Sequence, residues 1–126
     1  SVGDARVRYA LAKLESGRRR WPKAAAHYEA AAAALEPDSP QRGHALLGLG
    51  VALSLQHGRL KQALEALRGA ADALPEDPSP RIALASALRR GGRDGEAAAV
   101  LRQAAELDPA VATKYAAELG AGGDSA

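Results

Sequence analysis

The chain has 126 residues, enough for one domain, with a formal net charge of +2 at pH 7 and no cysteine, methionine or phenylalanine. That charge is too near balance to imply a nucleic acid or an anionic membrane as partner. The missing cysteine rules out disulfides and thiolate metal sites, and no stretch approaches the roughly 18 apolar residues that a membrane-spanning helix requires.

The 32 alanines and 17 leucines, set against few β-branched or aromatic residues, predict an all-α chain. A first helix is expected to start after Asp4 as N-cap and run to about Gly17, with Val7, Ala10, Leu11 and Leu14 as its buried stripe. The Arg18-Arg19-Arg20 turn leads through Trp21 and Pro22 into a second helix ending near Leu35, with Ala24, Tyr28, Ala31 and Leu35 inward. After the breaker cluster Glu36-Pro37-Asp38-Ser39-Pro40, a third helix is expected to bury Leu46, Leu49, Gly50 and Leu53 and to end near Gly58. A fourth carries Leu60, Ala63, Leu64, Leu67, Ala70 and Leu74. The prolines at 75, 78 and 80 separate it from a fifth that runs to about Arg90. A sixth is expected from near Asp94, its N-cap, to Asp108-Pro109. A last helix, about 110–119, aligns Val111, Ala112, Tyr115 and Leu119 and ends at Gly120, leaving 120–126 as a flexible tail.

These helices repeat. Gly92, Arg93, Ala97, Leu101, Ala104 and Pro109 lie 34 residues after Gly58, Arg59, Ala63, Leu67, Ala70 and Pro75. A fixed stride of this size marks stacked copies of one supersecondary unit. Leu84-Ala85 and Leu88 complete the third copy, and Leu49-Gly50 and Leu53 the second. The first is weaker: Trp21, Ala24, Tyr28 and Ala31 precede Leu60, Ala63, Leu67 and Ala70 by 39 residues, and its inter-helix turn is irregular. The pattern resembles the tetratricopeptide repeat over roughly residues 4–119. That resemblance implies a right-handed α-solenoid of three helix-turn-helix repeats, about 4–37, 40–75 and 79–109, closed by a capping helix over 110–119.

In that family the first helices of successive repeats line a concave groove. Carried over by resemblance, the groove positions are His44, Leu47, Gly48, Val51 and Ser54 in the second repeat. In the third they are Ser79, Ile82, Ala83, Ser86, Arg89 and Arg90. Tyr9, with Arg8 or Lys13 beside it, is the counterpart in the first. Tyr9, Leu47, Val51 and Ile82 would then form one apolar strip, the kind of surface that marks a binding site. Leu47 and Ile82 can equally be core residues. Gly48 is either a tolerated helical glycine or a point where a ligand approaches the backbone. The family's clamp for a chaperone's C-terminal carboxylate is not expected here, because the chain has no Asn and carries Gly48 and Ala83 at the clamp places.

Catalytic constellations are missing. His27, His44 and His57 show no metal-ligand spacing, Gly91-Gly92-Arg93-Asp94-Gly95 lacks the Lys-Ser/Thr of a phosphate loop, and no nucleophile stands near a base. The basic runs Arg18-Arg19-Arg20-Lys23 and Arg89-Arg90-Arg93 sit at the C-terminal ends of first helices, where the helix dipole favours cations. The reading is therefore a non-catalytic module, without cofactor, that binds a peptide or helical segment of another protein in its groove. The groove residues are Tyr9, Leu47, Gly48, Val51, Ile82, Ser86, Arg89 and Arg90. The alternative is a structural or self-associating module of a larger chain, since the sequence starts at Ser1 without an initiator Met. A cytoplasmic location is expected, a signal or anchor lying outside this segment being the other option.

Overall fold

Prolines and small capping side chains divide this chain into helices, and the computed structural model describes residues 1–124. The order is α1 (Val2–Gly17), α2 (Trp21–Ala33), α3 (Pro40–Ser54), α4 (Leu60–Ala73), α5 (Ser79–Arg90), α6 (Asp94–Leu107), α7 (Pro109–Lys114) and α8 (Ala116–Asp124). Pro22, Pro40, Pro80 and Pro109 occupy the first or second position of α2, α3, α5 and α7, where the missing N–H costs nothing. The Ser39 hydroxyl accepts from the Arg42 N–H at 3.2 Å and opens α3. Asp108 accepts from the Ala110 N–H at 3.0 Å and opens α7.

Several boundaries differ from the sequence reading. Ser1, not Asp4, caps α1; Asp4 sits three residues in and completes a reciprocal capping box. Helix α3 stops at Ser54, short of Gly58, and the N-cap of α6 is Arg93 rather than Asp94. The terminal helix breaks at Tyr115 into α7 and α8. Gly120 does not end it, since helix continues to Asp124. Ser125 and Ala126, the end of the expected tail, lie outside the described residues.

The inter-helix turns share one backbone device. Gly58 and Gly92 both take φ of 76°, and Arg19, which precedes Gly58 by 39 residues, takes φ of 57°. The first turn is thus regular in backbone and irregular only in residue type. A side chain in this left-handed region costs roughly 1–2 kcal/mol, which glycine avoids.

Each helix packs on its neighbours in sequence. In addition α1 touches α3 and α3 touches α5, whereas α2 and α4, and α4 and α6, do not touch. First helices therefore gather on one side and second helices splay on the other, which is an α-solenoid with α1, α3 and α5 on its inner wall. Two apolar clusters fill it. One, rich in alanine, joins Ala12, Ala24, Tyr28, Ala31, Leu46 and Leu49. The other, rich in leucine, joins Leu64, Leu67, Leu84, Leu88, Leu101 and Val111. Leu47 packs against both. Ala97, Ala104, Ala63 and Ala70, the small residues of the 34-residue stride, are all buried at helix contacts.

Helix α1 reverses its expected orientation. Ala5 and Ala12 are buried and Tyr9 half-buried, so this face meets α2 and α3. Val7, Leu11 and Leu14 are 61%, 38% and 54% exposed, and Ala10 is exposed as well. Their stripe is real, but it points away from the stack.

Candidate binding groove

The inner wall is built from helix faces that the buried stripes leave over. On α1, Tyr9 packs edge-on against Tyr28 of α2, with centroids 5.6 Å apart and planes at 72°. Burial, with Tyr28 as a lesser cause, pushes the Tyr9 phenol above its ordinary value, so it is neutral at physiological pH. Lys13 Nζ lies 5.9 Å from the Tyr9 ring centre. Arg8 instead turns toward α2, with Nη1 3.4 Å from Nδ1 of His27. Lys13 is therefore the companion of Tyr9.

A cavity of about 430 Å³ opens beside Tyr9, with Ala5 and Leu35 as apolar lining and Arg6, Lys13 and His44 as polar lining. Among the described residues no carboxylate lines it. At the other end of the wall a cavity of about 300 Å³ is lined by Ile82, Ser86 and Arg89 of α5 together with Tyr115 and Glu118. Arg89 Nη1 lies 3.4 Å from Glu118 Oε1, both partly exposed. The basic edge expected at Arg89 and Arg90 thus has half its charge answered by α8. Sequence reading missed Glu118 because the terminal helix was expected only to cover the last repeat. Its i+3 spacing from Tyr115 was the available signal.

Between the two cavities stands α3. Leu47 is half-buried and joins the two clusters, Tyr9 packs on the first and Ile82 on the second. These three residues are linked through Leu47, and Val51, one turn on, is 37% exposed. Leu47 and Ile82 are thus half-buried side chains that pack on the core clusters and keep part of their surface exposed. Gly48 has a packing reason: a Cβ there would lie 2.4 Å from Tyr28 Cε1. Gly50, further along, would meet Leu67 Cγ at 2.4 Å, as expected for a helix crossing. Leu47, Gly48, Val51 and Arg90 line neither cavity.

The basic runs are largely partnered. Arg18 and Arg20 lie 3.8 and 3.7 Å from the Glu15 carboxylate, and Arg93 grips Glu96 through two hydrogen bonds of 2.8 and 2.7 Å. Outside the wall, where α2 and α4 part, a furrow of about 540 Å³ is lined by Pro22, Glu29, Leu49, Gln62 and Glu65. Among the described residues no group of three or more His, Asp or Glu could hold a metal ion, and no helix is long and apolar enough to cross a membrane.

Comparison with known proteins agrees with this geometry. Two tetratricopeptide repeat profiles match, one over residues 9–78 and one over 54–119, each covering more than half the chain. No curated protein matches it significantly. Repeats of this kind generally mediate protein–protein interaction and are typically non-catalytic. The repeat stride, the paired helices and both profile matches lead to one conclusion: the chain belongs to the tetratricopeptide repeat family.

Proposed function

We propose that this protein is a non-catalytic interaction module that holds an extended or helical segment of another protein against the inner wall of α1, α3 and α5. The observation that carries this reading is the asymmetry of the stack: first helices touch one another and second helices do not. On that asymmetry we read Tyr9 and His44, at one cavity, and Ile82 and Ser86, at the other, as parts of one wall, with exposed Val51 between them. Concave, mostly apolar surface with a few polar groups is where ligands bind.

Affinity would come from Tyr9, Leu47, Val51 and Ile82, and orientation from the unequal ends of the wall. Arg6, Lys13 and His44 make one end cationic, whereas Glu118 offsets Arg89 at the other. Gly48 belongs to the wall as the floor under Tyr28, not as an open backbone. Three repeats offer a small contact area, so affinity in the micromolar range is expected.

The test is selection of binders from a random displayed-peptide library, followed by titration against wild type and Val51→Glu. Val51 is 37% exposed, so a charge there leaves the melting temperature unchanged while weakening binding by about tenfold or more. Peptides that bind the variant as well as wild type would refute the groove assignment. Leu47→Glu is the wrong probe, because Leu47 touches both cores and its loss unfolds the stack.

A further inference from the structure

The two cavities of the inner wall differ in how their charges are answered. At the α5 end Arg89 lies 3.4 Å from Glu118. At the α1 end the cavity of about 430 Å³ collects Arg6 and Lys13 from α1 and His44 from α3, all three exposed. Among the described residues none of the three makes an ion pair. The carboxylates of α1 itself are engaged elsewhere: Asp4 takes a hydrogen bond of 3.0 Å from the Ser1 hydroxyl, and Glu15 lies against Arg18 and Arg20. Positive charge is thus gathered at this cavity and left uncompensated.

Helix geometry sets where the charges stand. Arg6 comes one turn before Tyr9 and Lys13 one turn after, so two cations bracket one ring, with their backbones about 10 Å apart. Lys13 Nζ lies 5.9 Å from the ring centre. Between the cations the lining is apolar, from Ala5, Tyr9 and Leu35. A small inorganic anion would leave that apolar surface unmatched. A nucleic acid would want open ring faces for stacking, whereas Tyr9 is half-buried and braced by Tyr28. Charge and surface together suit a polypeptide with an apolar side chain flanked by acidic ones.

We infer that the segment held at the α1 end of the wall is acidic. It sets an apolar side chain against Tyr9 and Leu35, with aspartate or glutamate side chains on either side reaching Arg6 and Lys13. This chemistry rests on α1, α3 and α5 forming a binding wall, and it specifies the occupant of one end.

Peptides selected on the full chain from a random displayed library supply the probes, synthesised with both ends blocked so that only side chains carry carboxylates. The selected sequences are expected to be rich in Asp and Glu around an apolar residue. Changing each Asp and Glu to Asn and Gln weakens binding by about tenfold or more, and raising the salt weakens the acidic peptides but not the amide versions. Arg6→Glu with Lys13→Glu, at two exposed positions, leaves the melting temperature unchanged and costs about tenfold in affinity. Peptides with Lys in place of Asp and Glu then prefer the double variant to wild type. Selected peptides without acids, amide versions that bind equally well, or a double variant that binds as wild type does would overturn the inference. So would poly-aspartate or a single-stranded DNA oligonucleotide that competes as well as the selected peptides. Val51→Glu is read on the same probes. Peptides weakened by Val51→Glu but indifferent to their acids refute the acidic occupant and leave the groove standing. Peptides that need Arg6 and Lys13 but ignore Val51→Glu refute the continuous wall and keep the acidic site, and a selection without binders counts against both.

Discussion

Replacing Gly48 with alanine separates a packing role from a ligand-approach role. In an unobstructed helix, Gly→Ala stabilises by about 1 kcal/mol, because glycine loses more backbone freedom on folding. At Gly48 the new Cβ would sit 2.4, 2.5 and 2.8 Å from three atoms of the Tyr28 ring, closer than any real contact. Tyr28 is only 6% exposed and is braced by Tyr9, so the ring has nowhere to swing. Overpacking of this sort costs about 1–3 kcal/mol, and disturbing the edge-on ring pair adds about 0.5–1.5 kcal/mol. The loss exceeds the propensity gain by about 0.5–3.5 kcal/mol. At about 2 cal/mol/K per residue, a chain of 126 residues has an unfolding entropy near 0.26 kcal/mol/K, so the melting temperature should fall by about 2–13 °C. Gly95→Ala is the control, because nothing lies within 4 Å of a Cβ there and it should raise the melting temperature by a few degrees. Thermal unfolding followed by circular dichroism at 222 nm reads both variants. If Gly48→Ala stabilises as much as Gly95→Ala, Tyr28 does not cover Gly48 and the glycine faces open groove.

Other substitutions test other parts of the account. Arg19→Gly relieves the left-handed residue in the first turn; after the entropy that glycine adds to the unfolded chain, stability should rise by about 0.5–1 kcal/mol, seen in chemical denaturation at constant slope. Leu88→Ala removes a side chain that is 1% exposed and should cost about 2–5 kcal/mol, whereas the same change at Leu14 should cost little. The hydrogen bonds from Arg93 hold the Glu96 carboxyl below its ordinary value near 4.5. The folded chain therefore binds fewer protons there than the unfolded one. The stability this adds is present at neutral pH and fades as pH falls through that range. Glu96→Gln should flatten that part of a melting-temperature profile between about pH 6 and pH 3.

The sequence made the third repeat legible and the first one misleading. Ala97, Leu101 and Ala104 follow Ala63, Leu67 and Ala70 at the 34-residue stride, Leu84 and Leu88 follow Leu49 and Leu53 one residue later, and all five are buried at helical spacing. In α1 the same periodicity selected Val7, Ala10, Leu11 and Leu14, because a count of apolar size favours leucine and valine over alanine. What α1 buries against its neighbours is Ala5 and Ala12, small residues that let helices approach closely. An exposed apolar stripe has the same 3.6-residue period as a buried one, so the sequence does not tell the two apart. The turn at Arg19 was unreadable for a related reason: residue type signals a left-handed backbone only where glycine occupies it. Gly48 needed coordinates, since the ring it accommodates is 20 residues away on another helix. The Arg89–Glu118 contact likewise joins residues 29 apart.

The most direct test of the groove is a chemical-shift footprint on isotope-labelled protein titrated with a peptide selected from the displayed library. Shifts confined to α1, α3 and α5, at Tyr9, His44, Val51, Ile82 and Ser86, are the predicted result. A footprint on α2, α4 and α6, around Glu29, Gln62 and Glu65 in the outer furrow, would contradict it.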